Sequence, residues 1–263
     1  MDQFYEIFDS YAEQLAKLPM LPVLQCVHYI IMNLKLRMGE GALSFAYSHP
    51  MSSWVSSILT CFAGTFLTNF LLGNSLLSPL TDLEQIAILS VIWYLVFFCP
   101  LDLFTKVFML KPLWIALLVV KEAHRAKNIL KGVEISSTLY HDAWLVMIAV
   151  GTAKGAGSRL LRPVVMFAQG KVDAVNEALY PSFVTKLSIV GSILFIVVQK
   201  RIVAFTTAEV LLGITCVGAF LQVLMYLSNT SDPFTYLEKA VAAVLFREPA
   251  EKADTSDAKK KKE

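Results

Sequence analysis

Charge is what this sequence has least of. Only 17% of its 263 residues are charged against 56% hydrophobic, and the formal net charge is +2. A soluble single domain needs a more highly charged surface, so that class is excluded and a bilayer becomes the expected solvent. Cysteine is also sparse. Cys26, Cys61, Cys99 and Cys216 are widely spaced, each inside an apolar run, with no CxxC pair and no neighbouring histidine partner. This excludes a thiolate redox or zinc motif and reads as four inert core thiols. The opening stretch, MDQFYEIFDSYAEQLAK, is acidic and amphipathic and lacks the basic flank and apolar run of a cleavable signal, so the first span is expected to direct its own insertion. HExxH, GxGxxG, Walker and GxSxG patterns and paired catalytic carboxylates are all missing. The histidines His28, His49, His124 and His141 then read as interfacial or packing residues. The expectation is a protein that is not an enzyme, with no metal site, no organic redox cofactor and no nucleic-acid partner.

What is present is apolar length, with a mean hydropathy of +0.59. Seven runs between polar breaks are candidate spans: Pro19–Leu34, Met51–Leu72, Leu83–Leu101, Lys111–Leu130, His141–Pro163, Ser182–Val198 and Thr207–Leu227. A helix crossing about 30 Å of hydrocarbon needs roughly 20 mostly apolar residues, so the chain has room for these and for no large soluble domain. The first run is short and carries His28 and Asn33, and the fourth and fifth carry cations, so six is the competing count.

Seven crossings put the termini on opposite faces, and basic loops are retained in the cytoplasm. Eight loop cations lie on the face that holds the C-terminus and four on the other, and the Lys-rich tail adds to the first. The C-terminus is therefore expected in the cytoplasm and residues 1–18 in the lumen, with a channel domain over 19–230 and a cytoplasmic tail over 231–263. Lys260 and Lys261 stand fourth and third from the end, as in the dilysine retrieval signal of endoplasmic-reticulum membrane proteins. Glycosylation of the Asn229-Thr230-Ser231 sequon would overturn this orientation.

Seven helices divide as three, three and one, and a three-helix unit repeated in tandem must be inverted in the membrane. The fold expected is thus an all-α integral membrane protein with seven transmembrane helices: two inverted three-helix repeats, about 19–103 and 106–200, plus a seventh helix at about 207–228. Helix breaks at matching places support the repeat. One is at Ala63-Gly64-Thr65 in the second span, and a denser one runs from Gly151 to Ser158 in the fifth. Close packing of small residues would explain the same glycines.

The chemistry is concentrated in Lys121-Glu122-Ala123-His124-Arg125. In a helix Lys121 and Arg125 share a face, and Glu122 can partly neutralise Arg125. Charges at membrane depth must face water, a counter-ion or a bound anion. With Lys154, Gly155, Ala156, Gly157 and Ser158 they predict a basic pocket between two helices, suited to an anionic phosphoinositide headgroup. Such a pocket equally suits an anion channel. A fourth span over Leu103–Val120 would instead leave KEAHRAK as an interfacial flank, at the cost of burying Lys106 and Lys111 with Pro112 between them.

The chain resembles the TRIC family, the trimeric intracellular cation channels of endoplasmic and sarcoplasmic reticulum. The resemblance rests on the order and spacing of several segments: His49-Pro50-Met51-Ser52-Ser53-Trp54; Cys61-Phe62 before Gly64; Ile92-Trp93-Tyr94-Leu95 and then Phe98-Cys99-Pro100-Leu101-Asp102-Leu103; Lys121-Glu122 with Arg125; Trp144 to Ala149; Lys154-Gly155-Ala156-Gly157; and Tyr180-Pro181. It implies a homotrimer with a pore in each subunit, K⁺ as the main permeant ion, and counter-current that offsets charge moved during Ca²⁺ release. It also implies phosphatidylinositol 4,5-bisphosphate bound at Lys121 and Arg125, and residence in the endoplasmic or sarcoplasmic reticulum, with the nuclear envelope as an extension. Two positions depart from the family pattern: Ser158 replaces a usual glycine, and Gly64 stands alone in the second span. A seven-span receptor or a secondary transporter using the same basic pocket is the competing reading.

Overall fold

The computed structural model describes residues 2–170, 181–228 and 232–234; Tyr180, the Asn229 sequon and Lys260 and Lys261 lie outside them. All regular structure among the described residues is helical. The α-helices are α1 (Asp2–Lys17), α2 (Gln25–Arg37), α3 (Ala42–Ser48), α4 (Pro50–Cys61), α5 (Ala63–Leu72), α6 (Leu83–Phe98), α7 (Leu103–Phe108), α8 (Lys111–Leu139), α9 (Trp144–Leu160), α10 (Arg162–Ala168), α11 (Phe183–Gln199) and α12 (Thr207–Ser228). Among them α12 alone is long and apolar enough to cross a bilayer unaided. Three bent pairs reach that length together: Tyr5–Lys17 with Met20–Arg37 at 90°, Pro50–Cys61 with Ala63–Leu72 at 63°, and Leu83–Phe98 with Pro100–Phe108 at 93°.

Of three buried clusters among the described residues, the two larger carry most of the packing. Tyr29, Ile31 and Leu34 of α2 bury against Leu89, Val96 and Phe97 of α6 and Leu117 and Leu118 of α8. Ile129 and Val133 of α8 bury with Met147 of α9, Phe195 and Ile196 of α11 and Leu211 of α12. Helix α8 belongs to both and is the post around which the molecule is built. It runs 29 residues, about 43 Å at 1.5 Å per residue, and continues past the expected Leu130 to Leu139. Nothing between Leu130 and Tyr140 breaks a helix, and Gly132, Val133 and Ser136 are buried.

The expected break in the fifth span is corrected. From Trp144 to Leu160, α9 is one uninterrupted helix, with Gly151 and the Lys154–Ser158 stretch inside it. Each glycine in a helix interior costs roughly 1 kcal/mol against alanine, and here the return is close approach. A Cβ at Gly151 would meet Ser192 Oγ at 2.5 Å, one at Gly155 would meet Ile129 Cγ1 at 2.4 Å, and one at Gly157 would meet Gly64 Cα at 2.3 Å. The small residues let α9 touch α8, α11 and α5 at once, the membrane use of small side chains at helix crossings. In the second span a bend does occur, at Phe62 (φ −95°, ψ 6°), and Gly64 lies just past it inside α5.

A cation caps the 93° bend after α6. Pro100 has no N–H, so the Val96 carbonyl loses its helical partner. Arg37 Nη1 donates to that carbonyl and to Thr105 Oγ1 (3.0 Å), and Nη2 reaches Asp102 Oδ1 at 2.7 Å. This clamp holds Leu101 and Asp102 in left-handed backbone conformations, φ 59° and 55°, which non-glycine residues rarely adopt. The Arg37 guanidinium keeps the Asp102 carboxyl below the usual 3.8. Its contribution to stability is therefore complete above 3.8 and is lost as pH falls through the lower, folded-state value. Unfolding in detergent, followed by circular dichroism from pH about 6 down to about 2, should show an acid-dependent loss of stability that is smaller in Asp102→Asn.

Candidate functional site: a basic cavity between α2, α5, α8 and α9

A cavity of about 1340 Å³ runs between these helices. Its lining includes Met20, Leu21, Asp82, Gln85, Asn128 and Lys131, and also Lys35, Glu40, Arg159, Arg162 and Gln169. His28, Gly64, Thr65, Lys121, His124, Arg125, Lys154, Gly155, Gly157 and Ser158 line it as well. The predicted cations, with Gly155, Gly157 and Ser158 beside them, are thus brought to one cavity. Ala156 is fully buried among Phe183, Val184 and Leu187 on another face, and Gly151 packs on α11, so neither is among the lining residues.

Lys121 is ten residues from the start of α8, about 15 Å along its axis. Lys121, Glu122, His124 and Arg125 are all buried, at 7%, 2%, 5% and 6% exposure. An unpartnered buried charge costs several kcal/mol, and each of these groups has a partner. Arg125 Nη1 donates to Glu122 Oε2 in a buried ion pair three residues apart. Glu122 lies over α12 where Gly218 leaves room: a Cβ there would come within 3.0 Å of Glu122 Oε2. Lys154 Nζ lies 3.4 Å from Thr65 Oγ1, which links α9 to the residues just past the α4–α5 bend. Lys127 points out of this group. It donates to the carbonyls of Leu15 and Ala16 (both 3.1 Å) and of Leu18, capping the C-terminal end of α1.

Two histidines read from sequence as packing residues complete the site. His28 and His124 stack, with ring centroids 4.3 Å apart and planes within 19°. His28 Nε2 is 2.9 Å from the Cys61 carbonyl, the last of α4 before the bend, so Nε2 carries the hydrogen. Its Nδ1 is left as an acceptor and takes the Lys121 ammonium. His124 Nε2 donates to Gln25 Oε1 (3.0 Å), Gln25 Nε2 to Tyr29 Oη (2.9 Å), Tyr29 Oη to Gln85 Oε1 (3.0 Å) and Gln85 Nε2 to Asp82 Oδ2 (2.6 Å). Every donor in this chain points toward the Asp82 carboxylate, so a single orientation satisfies all of them. One signal was available in the sequence: His124 stands three residues after Lys121 and so shares its helical face. His28 offered none, because its partners lie 33 and 93 residues away.

An all-helical bundle with buried cations lining a large internal cavity has the features of a membrane transport protein. The family profile described as TRIC channel matches residues 39–229. The trimeric intracellular cation channel type 1B.1 of Caenorhabditis elegans is 35% identical over 244 residues, 91% of this chain and 82% of that protein. The type B channel of Danio rerio is 35% identical over 89% of this chain and 82% of its own length, and the type A channel of Oryctolagus cuniculus 34% over 88% and 79%. Among solved structures, one described as the structural basis for activity of TRIC counter-ion channels in calcium release superposes with a TM-score of 0.81. It is 31% identical and covers 84% of this chain and 99% of that one. A trimeric intracellular cation channel of C. elegans without Ca²⁺ gives 0.79 at 34% identity, over 85% and 97%. The chain is therefore an all-α membrane protein and belongs to the TRIC channel family.

Proposed function

We propose that this protein is a homotrimeric K⁺ channel of the endoplasmic or sarcoplasmic reticulum that supplies counter-ion current during Ca²⁺ release. In this reading each subunit conducts through its own cavity, and seven spans in two inverted triplets plus one place the N-terminus in the lumen and the C-terminus in the cytoplasm. Lys260 and Lys261 act as the retrieval signal. The observation that carries the reading is the large cavity lined by Lys121, Arg125 and Lys154, in a chain of this family.

A basic lining repels K⁺ unless its charge is answered. Part of the answer is internal: Glu122 neutralises Arg125, and Lys121 and Lys154 are drawn onto His28 and Thr65. The remainder is assigned to an anionic headgroup, phosphatidylinositol 4,5-bisphosphate, whose phosphates suit Lys121, Arg125 and the backbone near Gly155 and Gly157. A phosphoinositide-dependent K⁺ flux assay in proteoliposomes tests this. With the lipid present the wild type should conduct, and Lys121→Ala/Arg125→Ala should bind it about tenfold or more weakly, the loss of about 1.4 kcal/mol or more. Saturable flux coupled to a second solute, without unitary currents, would instead identify a secondary transporter.

A further inference from the structure

None of residues 99–111 lines the cavity, yet two of them are held in strained backbone conformations. We propose that residues 101–111 form an in-plane membrane anchor: Leu101, Leu103 and Val107 sit among the upper acyl chains of the cytoplasmic leaflet, and Lys106 and Lys111 hold the headgroups of anionic phospholipids there. The inference rests on α6 crossing the bilayer and not on which ion the cavity conducts.

The turn from α6 into Pro100–Phe108 is 93°, so where α6 crosses the bilayer the segment after it runs along the membrane plane. It cannot continue the span. The Arg37 clamp fixes this turn by bonding Val96, Asp102 and Thr105, and so ties the segment to the basic end of α2, which carries Lys35 and Arg37 in its last turn. Leu101, held at φ 59°, is 87% exposed, the most of any large apolar residue described. A strained backbone that presents a leucine to water loses twice; one that presents it to hydrocarbon does not.

The two faces of α7 differ. Phe104 and Phe108, with rings 4.6 Å apart, pack on the core of α2, α6 and α8. Leu103 and Val107 are four residues apart on another face and exposed, with Met109 and Leu110 exposed just beyond them. Lys106, three residues after Leu103, borders that face, and Lys111 begins α8. Both lysines are exposed, and among the described residues neither makes a side-chain hydrogen bond or an ion pair. Lys106 feels the Asp102 carboxylate, but Arg37 already holds it. An apolar face bordered by such lysines matches the boundary between hydrocarbon and anionic headgroups, where the lysine stem lies along apolar surface and the ammonium reaches outward. Basic segments are retained in the cytoplasm, and the cytoplasmic leaflet carries the anionic lipid. Each lysine at such a surface strengthens the attraction about fivefold. A second copy of the chain would cover the leucines but leave the lysines unexplained.

The test measures lipid contact at α7 itself. A fluorophore is attached at Leu103→Cys in the full-length protein, with Cys26, Cys99 and Cys216 changed to Ser. The protein is placed in phosphatidylcholine nanodiscs that contain a small share of spin-labelled phosphatidylserine or of spin-labelled phosphatidylcholine. Both lipids should quench the fluorophore, and phosphatidylserine should be favoured at least about threefold in relative association. Lys106→Gln/Lys111→Gln should bring that preference below about 1.5-fold. Lys121→Ala/Arg125→Ala, which weakens headgroup binding in the cavity, should leave it unchanged. The same label at Val107→Cys carries the test if the first protein does not fold. Quenching by neither lipid, as when water or a second copy covers the face, overturns the inference. So does a preference below about 1.5-fold with both lysines present, one that survives their loss, or one that disappears with the cavity cations. No current is measured, so each of these results leaves the channel reading standing.

Discussion

Gly157→Val is expected to prevent stable packing of the helical bundle. A Cβ at position 157 would sit 2.3 Å from Gly64 Cα and 2.4 Å from Gly64 N. The obstacle is backbone and cannot rotate aside, so α5 and α9 would have to separate, opening the wall of the cavity at Lys154 and Thr65. Overpacking costs about 1–3 kcal/mol and more where backbone must shift, a large part of a typical stability of about 5–15 kcal/mol. The thermal midpoint in detergent should fall by several degrees, or the protein should fail to fold. Gly213→Ala, at a position where a Cβ meets nothing within 4 Å, serves as the control and should unfold at or above the wild-type temperature. A Gly157→Val protein as stable as wild type would mean that α5 and α9 do not approach so closely.

Loss of Glu122 should be nearly as damaging, for an electrostatic reason. Glu122 and Arg125 form a buried pair, and removing one partner of such a pair costs about 3–5 kcal/mol because it strands the other charge. Glu122→Ala should therefore unfold early, and any channel that survives should carry less K⁺ current, since Arg125 would add an unanswered charge to the cavity wall. Replacing both partners with apolar groups is often nearly neutral. The double variant Glu122→Ala/Arg125→Met should accordingly recover most of the lost stability. A double variant no more stable than Glu122→Ala would place the cost in packing of Glu122 over Gly218 rather than in charge.

The sequence made the spans legible where a single apolar run sets a helix. The sixth run, Ser182–Val198, differs from α11 by one residue at each end, and the seventh, Thr207–Leu227, from α12 by one residue at its C-terminal end. It also placed a bend beside Gly64, two residues from the one at Phe62. The run of Gly151, Gly155 and Gly157 was read as a break for a definite reason: glycine weakens a helix and also lets helices touch, and sequence does not show which neighbours are near. The structure supplies them in Ser192, Ile129 and Gly64. Lys121, Arg125 and Lys154 were legible because an ionisable group in an apolar run demands a partner or a cavity. Which partner answers each charge was legible only for Glu122, a neighbour on the same helix. Lys121 is answered by His28 from α2 and Lys154 by Thr65 from α5, contacts that only the tertiary fold creates.

The same accounting explains why cations lining a cavity are compatible with cation conduction: Lys121, Arg125 and Lys154 are each directed onto a protein acceptor, and the carboxylates of Asp82 and Glu40 line the same cavity. The most direct measurement is the reversal potential of purified protein in a planar bilayer containing phosphatidylinositol 4,5-bisphosphate, across a KCl gradient. Unitary currents that reverse near the K⁺ equilibrium potential are expected. Reversal near the Cl⁻ potential, or no unitary current at all, would contradict the account.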